Sequence, residues 1–286
     1  MEHYAMLIFS AVLLAGNFAL NKVYQQKAGV SFEKGLKFNI FLGIFTAFIF
    51  FIIGGFRLRI TFFSMLMAAG MAILSTIYTL IGFRIISGEK MVLYTVSLMI
   101  GGMAVPYVWG LLFLNEPFSL LRTAGMAVII LSVLLTYADT AKPDVKQILM
   151  CCAVFFLNGF VSVISKEHQI NSAAISAVDF VTLSSILKAG LCAAALCFVN
   201  REKNEKKQFS FRLTAVVLIC ALLSGLAYLF QLIGAENLPA TVLYPIVTGG
   251  SILFSTLAGR LFFKEKLTPK LLAGIALSFL GTCMFL

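Results

Sequence analysis

The sequence predicts an all-α integral membrane protein, ten transmembrane helices built as two inverted five-helix repeats. Three observations carry this. The chain of 286 residues is 60% hydrophobic and only 12% charged, with a mean hydropathy of +1.00, whereas a soluble domain carries roughly twice that share of charge. Its apolar residues fall in runs long enough to cross the hydrocarbon as helices, without the alternation of a membrane barrel strand. And one long stretch occurs twice. Val92-Leu93-Tyr94 matches Val242-Leu243-Tyr244, Leu112-Phe113-Leu114-Asn115-Glu116 matches Leu261-Phe262-Phe263-Lys264-Glu265, and Gly125 matches Gly274. A register kept to within a residue over that distance marks an internal duplication.

The spans follow in order: 4–23, 35–53, 62–83, 89–113 and 119–137 in the first half, then 147–166, 174–199, 211–234, 239–262 and 268–286 in the second. The polar linker from Ala138 to Lys146 separates a first repeat, 1–140, from a second, 141–286. Tyr78 and Tyr228 share the offset of Tyr94 and Tyr244, and Asn17 falls opposite Asn158. Because five is odd, the second copy enters the membrane upside down, and a working site is expected at the seam between the copies. Very short connections such as Asn115 to Phe118 predict that helices adjacent in sequence are antiparallel and in contact. The opening Met-Glu-His-Tyr lacks a basic region, so the first run reads as a retained helix. All six cysteines lie in apolar runs and are expected as free thiols.

The net charge of +10 does not indicate nucleic acid. The cations sit in short loops between apolar spans, where they act as topology signals, and no loop is long enough for a polynucleotide surface. Neither a metal-ligand cluster nor a phosphate loop is present, so no cofactor, metal or direct use of ATP is expected. An intramembrane enzyme would need a clustered nucleophile or acid/base pair, which the chain lacks.

Polar groups inside a bilayer are costly and mark candidate sites. Asn17 and Asn21 share a helix face and could bond a substrate, or could bond neighbouring helices. Asn158 is the second-half counterpart. Tyr78, Tyr94, Tyr228 and Tyr244 form two related pairs whose rings could line a cavity or simply pack. Gln231 shares a face with Tyr228. Lys188 lies well inside the seventh span and could meet an anionic group or snorkel to the interface. Glu89 and Glu236 could couple transport to protons if desolvated. Glu116 and Glu265 read as turn residues, Asp179 as a solvated charge near a span end, and Lys166 as a loop cation.

Gly16-Asn17-Phe18 with Lys22, Lys37-Phe38, and Leu243-Tyr244-Pro245 followed by Phe262-Phe263-Lys264-Glu265-Lys266-Leu267-Thr268, Gly274 and Gly281 together resemble the EamA-type exporters of the drug/metabolite transporter superfamily. The likeness runs over nearly the whole chain. It implies a secondary transporter in the cell membrane, exporting a small organic metabolite, amino acid or amphipathic compound by alternating access. Small-molecule substrate and membrane lipid are the expected partners, and a monomer the expected state, with a dimer left open. The rival reading is a lipid-handling or structural membrane protein without solute turnover. The chain departs from the family at the first-half position matching Pro245, where it has no proline, and, unlike the small multidrug relatives, it has no acid in its first span. Orientation is in conflict. The basic loops follow odd-numbered spans, which puts both termini outside the cytosol, whereas the resemblance puts them inside.

Overall fold

In a computed structural model, residues 2–29, 31–87, 91–136, 144–198, 211–264 and 269–286 are described. They form ten helices: α1 (Glu2–Ala28), α2 (Phe32–Ile53), α3 (Phe62–Ser87), α4 (Met91–Phe113), α5 (Leu120–Thr136), α6 (Val145–Ile170), α7 (Ala177–Cys197), α8 (Phe211–Asn237), α9 (Ala240–Phe263) and α10 (Pro269–Cys283). Every expected span is there. Eight are long and apolar enough to cross a membrane, while Leu120–Leu135 in α5 and Pro269–Cys283 are shorter. Several outrun the expected bounds, because an apolar window marks only the stretch in hydrocarbon and the helix continues into the polar interface. Caps set the true ends. Ser31 accepts from the Lys34 N–H, Asp144 and Gln147 form a capping box, and Ser176 accepts from the Asp179 N–H.

The duplicated motif has a structural reason at its centre. Asn115 and Lys264 hold matching places, and both adopt left-handed backbone, with φ of 52° and 53°. That conformation ends a helix. In the first half it turns the chain so that Glu116 is carried back over Gly110, whose carbonyl accepts the Glu116 N–H at 3.0 Å.

The expected contact between sequence neighbours is corrected. Adjacent helices touch little, α9 with α10 excepted. The main partners come from opposite halves: α2 with α7, α4 with α6, α1 with α8 and α9, α3 with α6 and α7, and α5 with α10. A short turn fixes only where two helices meet, and their long faces then go to whatever surface fits. The pairs exchange when five is added to each helix number. Contact α1–α8 becomes α6–α3, α1–α9 becomes α6–α4, and α2–α8 becomes α7–α3, while α2–α7, α4–α9 and α5–α10 map onto themselves. This is the pattern that a twofold relation between the halves generates.

Small residues set the closest inter-half approaches, as expected where apolar attraction between helices is matched by lipid. A Cβ on Gly43 would stand 2.9 Å from Ala189 Cβ, and one on Gly125 would stand 3.0 Å from the Gly281 carbonyl. Gly274 accepts from the Ser132 hydroxyl at 2.7 Å. The glycines of the last-helix signature are thus the α5–α10 contact. An apolar groove of about 350 Å³ on the α2–α7 face, between Ile44 and Ile186, is lined only by apolar residues and carries no chemistry.

Candidate functional site

The four related tyrosines come from α3, α4, α8 and α9 and lie along the seam. Tyr78 lies within electrostatic reach of Tyr94 and of Tyr228, and Tyr228 of Tyr244. The ladder crosses from one half into the other. Tyr78 and Tyr94 occupy the end of the bundle that bears Lys27, Lys34, Lys146 and Lys264, here called the basic end; Tyr228 and Tyr244 lie toward the opposite end.

The two ends differ although their sequences are related. At the opposite end the Tyr244 hydroxyl donates to the Ser162 carbonyl at 2.5 Å, and the Tyr228 hydroxyl lies 2.8 Å from Ser165 Oγ and 3.1 Å from Met71 Sδ. Val242, Leu243 and Ile246 are at most 1% exposed, and Tyr244 is 6% exposed. The matching segment 94–98 is half-buried throughout, and the Tyr94 hydroxyl makes no hydrogen bond among the described residues. Tyr94 instead lies against Gly82, where a Cβ would collide with its ring.

Two residues read from sequence as turn and loop charges bolt the opposite end. The Glu116 carboxylate accepts from the N–H of Ala240 at 2.6 Å and of Thr241 at 2.8 Å, so a first-half turn caps a second-half helix. Gly110 makes the room, since a Cβ there would stand 2.6 Å from Glu116 Oε2. Lys166 is no loop cation. It lies in α6, is 6% exposed, and donates to the carbonyls of Ala235 at 2.6 Å and Leu238 at 2.8 Å where α8 ends. Each charge meets the end of a helix dipole of opposite sign. Beside it Trp109 Nε1 donates to Glu167 at 2.6 Å. Asp179 is buried as well, accepting from the Ser176 hydroxyl at 2.8 Å. The one signal for Glu116 was its place in the duplicated motif; nothing in sequence pairs Lys166 with α8.

The remaining candidates are placed as follows. Asn17 is buried, and its Oδ1 has no hydrogen-bond partner among the described residues. Asn21, one turn on, is half-buried and makes no hydrogen bond among the described residues. Asn158 donates to the Leu98 carbonyl at 2.7 Å, joining α6 to α4 over Gly102. Its related partner Asn17 makes no equivalent bond, another point where the halves differ. Gln231 reaches Ser10 Oγ at 3.1 Å and joins α8 to α1. Lys188 is half-buried at the middle of α7. Glu236 is exposed at the end of α8. Glu89 and Glu265 lie outside the described residues. Among the described residues no group of His, Cys, Asp and Glu could hold a metal ion.

Tyr244→Phe is expected to weaken the closed end by about 1 kcal/mol, the net worth of one hydrogen bond. The readout is maleimide labelling of a cysteine placed at position 162 in a cysteine-free background, which should rise roughly fivefold for that energy. Labelling equal to the parent would take the hydroxyl out of the closure.

Comparison with known proteins places this geometry. No curated protein matches the chain in sequence. A solved crystal structure superposes on it with a TM-score of 0.80 at 13% identity, over 99% of this chain and 96% of that one. At that identity the likeness speaks for the fold alone. The EamA-like transporter family matches residues 145–286. The chain, a multi-pass membrane protein, therefore belongs to the EamA-like transporters of the drug/metabolite transporter superfamily, a family of transporters and not of enzymes.

Proposed function

We propose that the chain is a secondary active transporter that exports a small organic solute by alternating access. The observation that supports it best is the unequal treatment of related segments: residues 244–247 are buried and bonded, while residues 94–98 are half-buried. Two copies of one unit held in different conformations make a seam closed at one end and looser at the other. Exchanging the two conformations would move the opening to the other side. The solute would bind between the ends, among Asn17, Asn21, Tyr78, Tyr94, Tyr228 and Gln231, with Tyr244 closing the site. On the charge count the basic end faces the cytosol, so the state described here is the one that loads solute for export. The expected setting is the cell membrane and the expected unit a monomer in lipid.

Proteoliposome flux over a panel of amino acids, metabolites and amphipathic drugs, with and without a pH gradient, tests this. The expected result is saturable flux of one solute class, reduced at least about tenfold by Asn17→Ala or Tyr94→Ala, a loss of about 1.4 kcal/mol. No flux of any solute would leave the lipid-handling reading standing in its place.

A further inference from the structure

A cation in the middle of a membrane helix needs either an escape to water or a counter-charge, and Lys188 has neither on view. It is the twelfth of the twenty-one residues of α7, counted from Ala177. The exposed residues of α7 around it are Ile186, Gly190, Ala193, Ala194 and Cys197. At about 100° per residue their mean direction lies roughly 175° from that of Lys188. Lys188 therefore points into the bundle, away from lipid. A side chain that points inward and keeps part of its surface accessible is not closed into a packed core.

Its level can be fixed. The Ile175 N–H donates to Ser64 Oγ at 3.1 Å, which sets the register of α7 on α3. Both helices then run the same way. Lys188 lies thirteen residues past Ile175, the first two steps falling before α7 begins, which puts it within about a turn of Thr76 along α3. Cys192, one turn on, is beside Thr76 and within electrostatic reach of Lys188. Thr76 is 7% exposed, and its buried hydroxyl faces the Cys192 thiol. A lone cation thus stands inside the bundle, about a turn from the contact of Cys192 with Thr76.

The facing elements supply no counter-charge among the described residues. On α2, Glu33 pairs with Lys37 at 2.5 Å at the basic end. On α3 the titratable neighbour is Tyr78, and on α8 the charges Arg212 and Glu236 sit at its two ends. On α7 itself, Asp179 is at the first turn and bonded to Ser176. The related first-half position is Thr46, whose hydroxyl reaches the Ala221 carbonyl at 3.4 Å. Symmetry therefore gives no reason for a charge at this place.

We propose that Lys188 is the anion-recognition point of the transport site, and that the solute carries a fixed negative group, a carboxylate or a phosphate, which Lys188 binds. The proposal rests on the transporter reading. It accounts for a costly buried charge, because the counter-ion arrives with the cargo. The apolar walls and tyrosine rings would then take the organic remainder of the solute.

The test uses the full chain in proteoliposomes loaded with a small-molecule extract of the cells that produce it. Solutes released above protein-free vesicles are identified by mass and sorted by charge. Anions should dominate, Lys188→Gln should lower their release at least about tenfold, and Lys188→Arg should keep much of it. Pretreating the extract with phosphatase separates the two anion types: release survives for a carboxylate and is lost for a phosphate ester. Thermal melting of Lys188→Met provides the control, and an unchanged or raised Tm is expected because a lone buried cation is removed. A lowered Tm would make Lys188 structural and overturn the proposal. Release of neutral or cationic solutes, or of anions at the parent's rate by Lys188→Gln, would overturn it while sparing the transporter reading. No release at all would overturn both.

Discussion

Glu116→Ala is expected to free the N-terminus of α9 and shift the protein toward a state open at the opposite end. The carboxylate is the acceptor for both Ala240 and Thr241 N–H groups, which have no intrahelical carbonyl to use at this end of the helix. These are charge-assisted bonds at the positive end of a helix dipole. Losing both should cost about 3 kcal/mol, enough to change a two-state population by roughly a hundredfold. Hydrogen exchange should report it directly, with the amides of Ala240 and Thr241 accelerating by about that factor. Exchange should stay unchanged at Val217, which is buried near the other end of α8. Glu116→Gln keeps one acceptor without the charge and should fall between the two. Equal protection of Ala240 in the parent and Glu116→Ala would end the case for a bolt across the halves.

The largest expected loss of folded protein is for Gly101→Leu. A Cβ on Gly101 would fall on the backbone carbonyl of Phe155, and one on Gly159 would collide with Val105. Both glycines lie where α4 meets α6, so the obstacle is partly backbone and cannot be turned aside by a rotamer change. Overpacking a fitted interior costs about 1–3 kcal/mol, and more when backbones must separate. Detergent-solubilised Gly101→Leu should therefore elute as aggregate and melt well below the parent. Gly190 is the control, being exposed on α7 with nothing within 4 Å of an added Cβ. Gly190→Leu should leave elution and melting unchanged. A monodisperse Gly101→Leu would mean that α4 and α6 do not approach as closely as described.

The helices and their number were legible because each apolar run need only satisfy the bilayer, a constraint local to the run. The duplicated turn was legible for the same kind of reason: Asn115 and Lys264 each end a helix by local backbone geometry. The tyrosines could be grouped by their shared offset, and the fold brings all four to the seam. Asn158 and Asn17 have the same address in the two halves, yet one bonds Leu98 and the other keeps a buried, unpaired oxygen. Sequence symmetry cannot foresee that, since it assigns both the same surroundings.

The sequence by itself determined how many times the chain crosses, that it does so as one unit used twice, and which residues stand at related positions. Only the tertiary structure decided which helix faces which, that Glu116 serves a helix of the other half, that Lys166 is buried against α8, and which end of the seam is the more deeply buried. The division has one physical cause. Hydrophobicity acts on each span separately and reads along the chain, whereas helix partners in a membrane are chosen by shape and hydrogen bonds between surfaces that are distant in sequence. The two halves can each settle that choice differently.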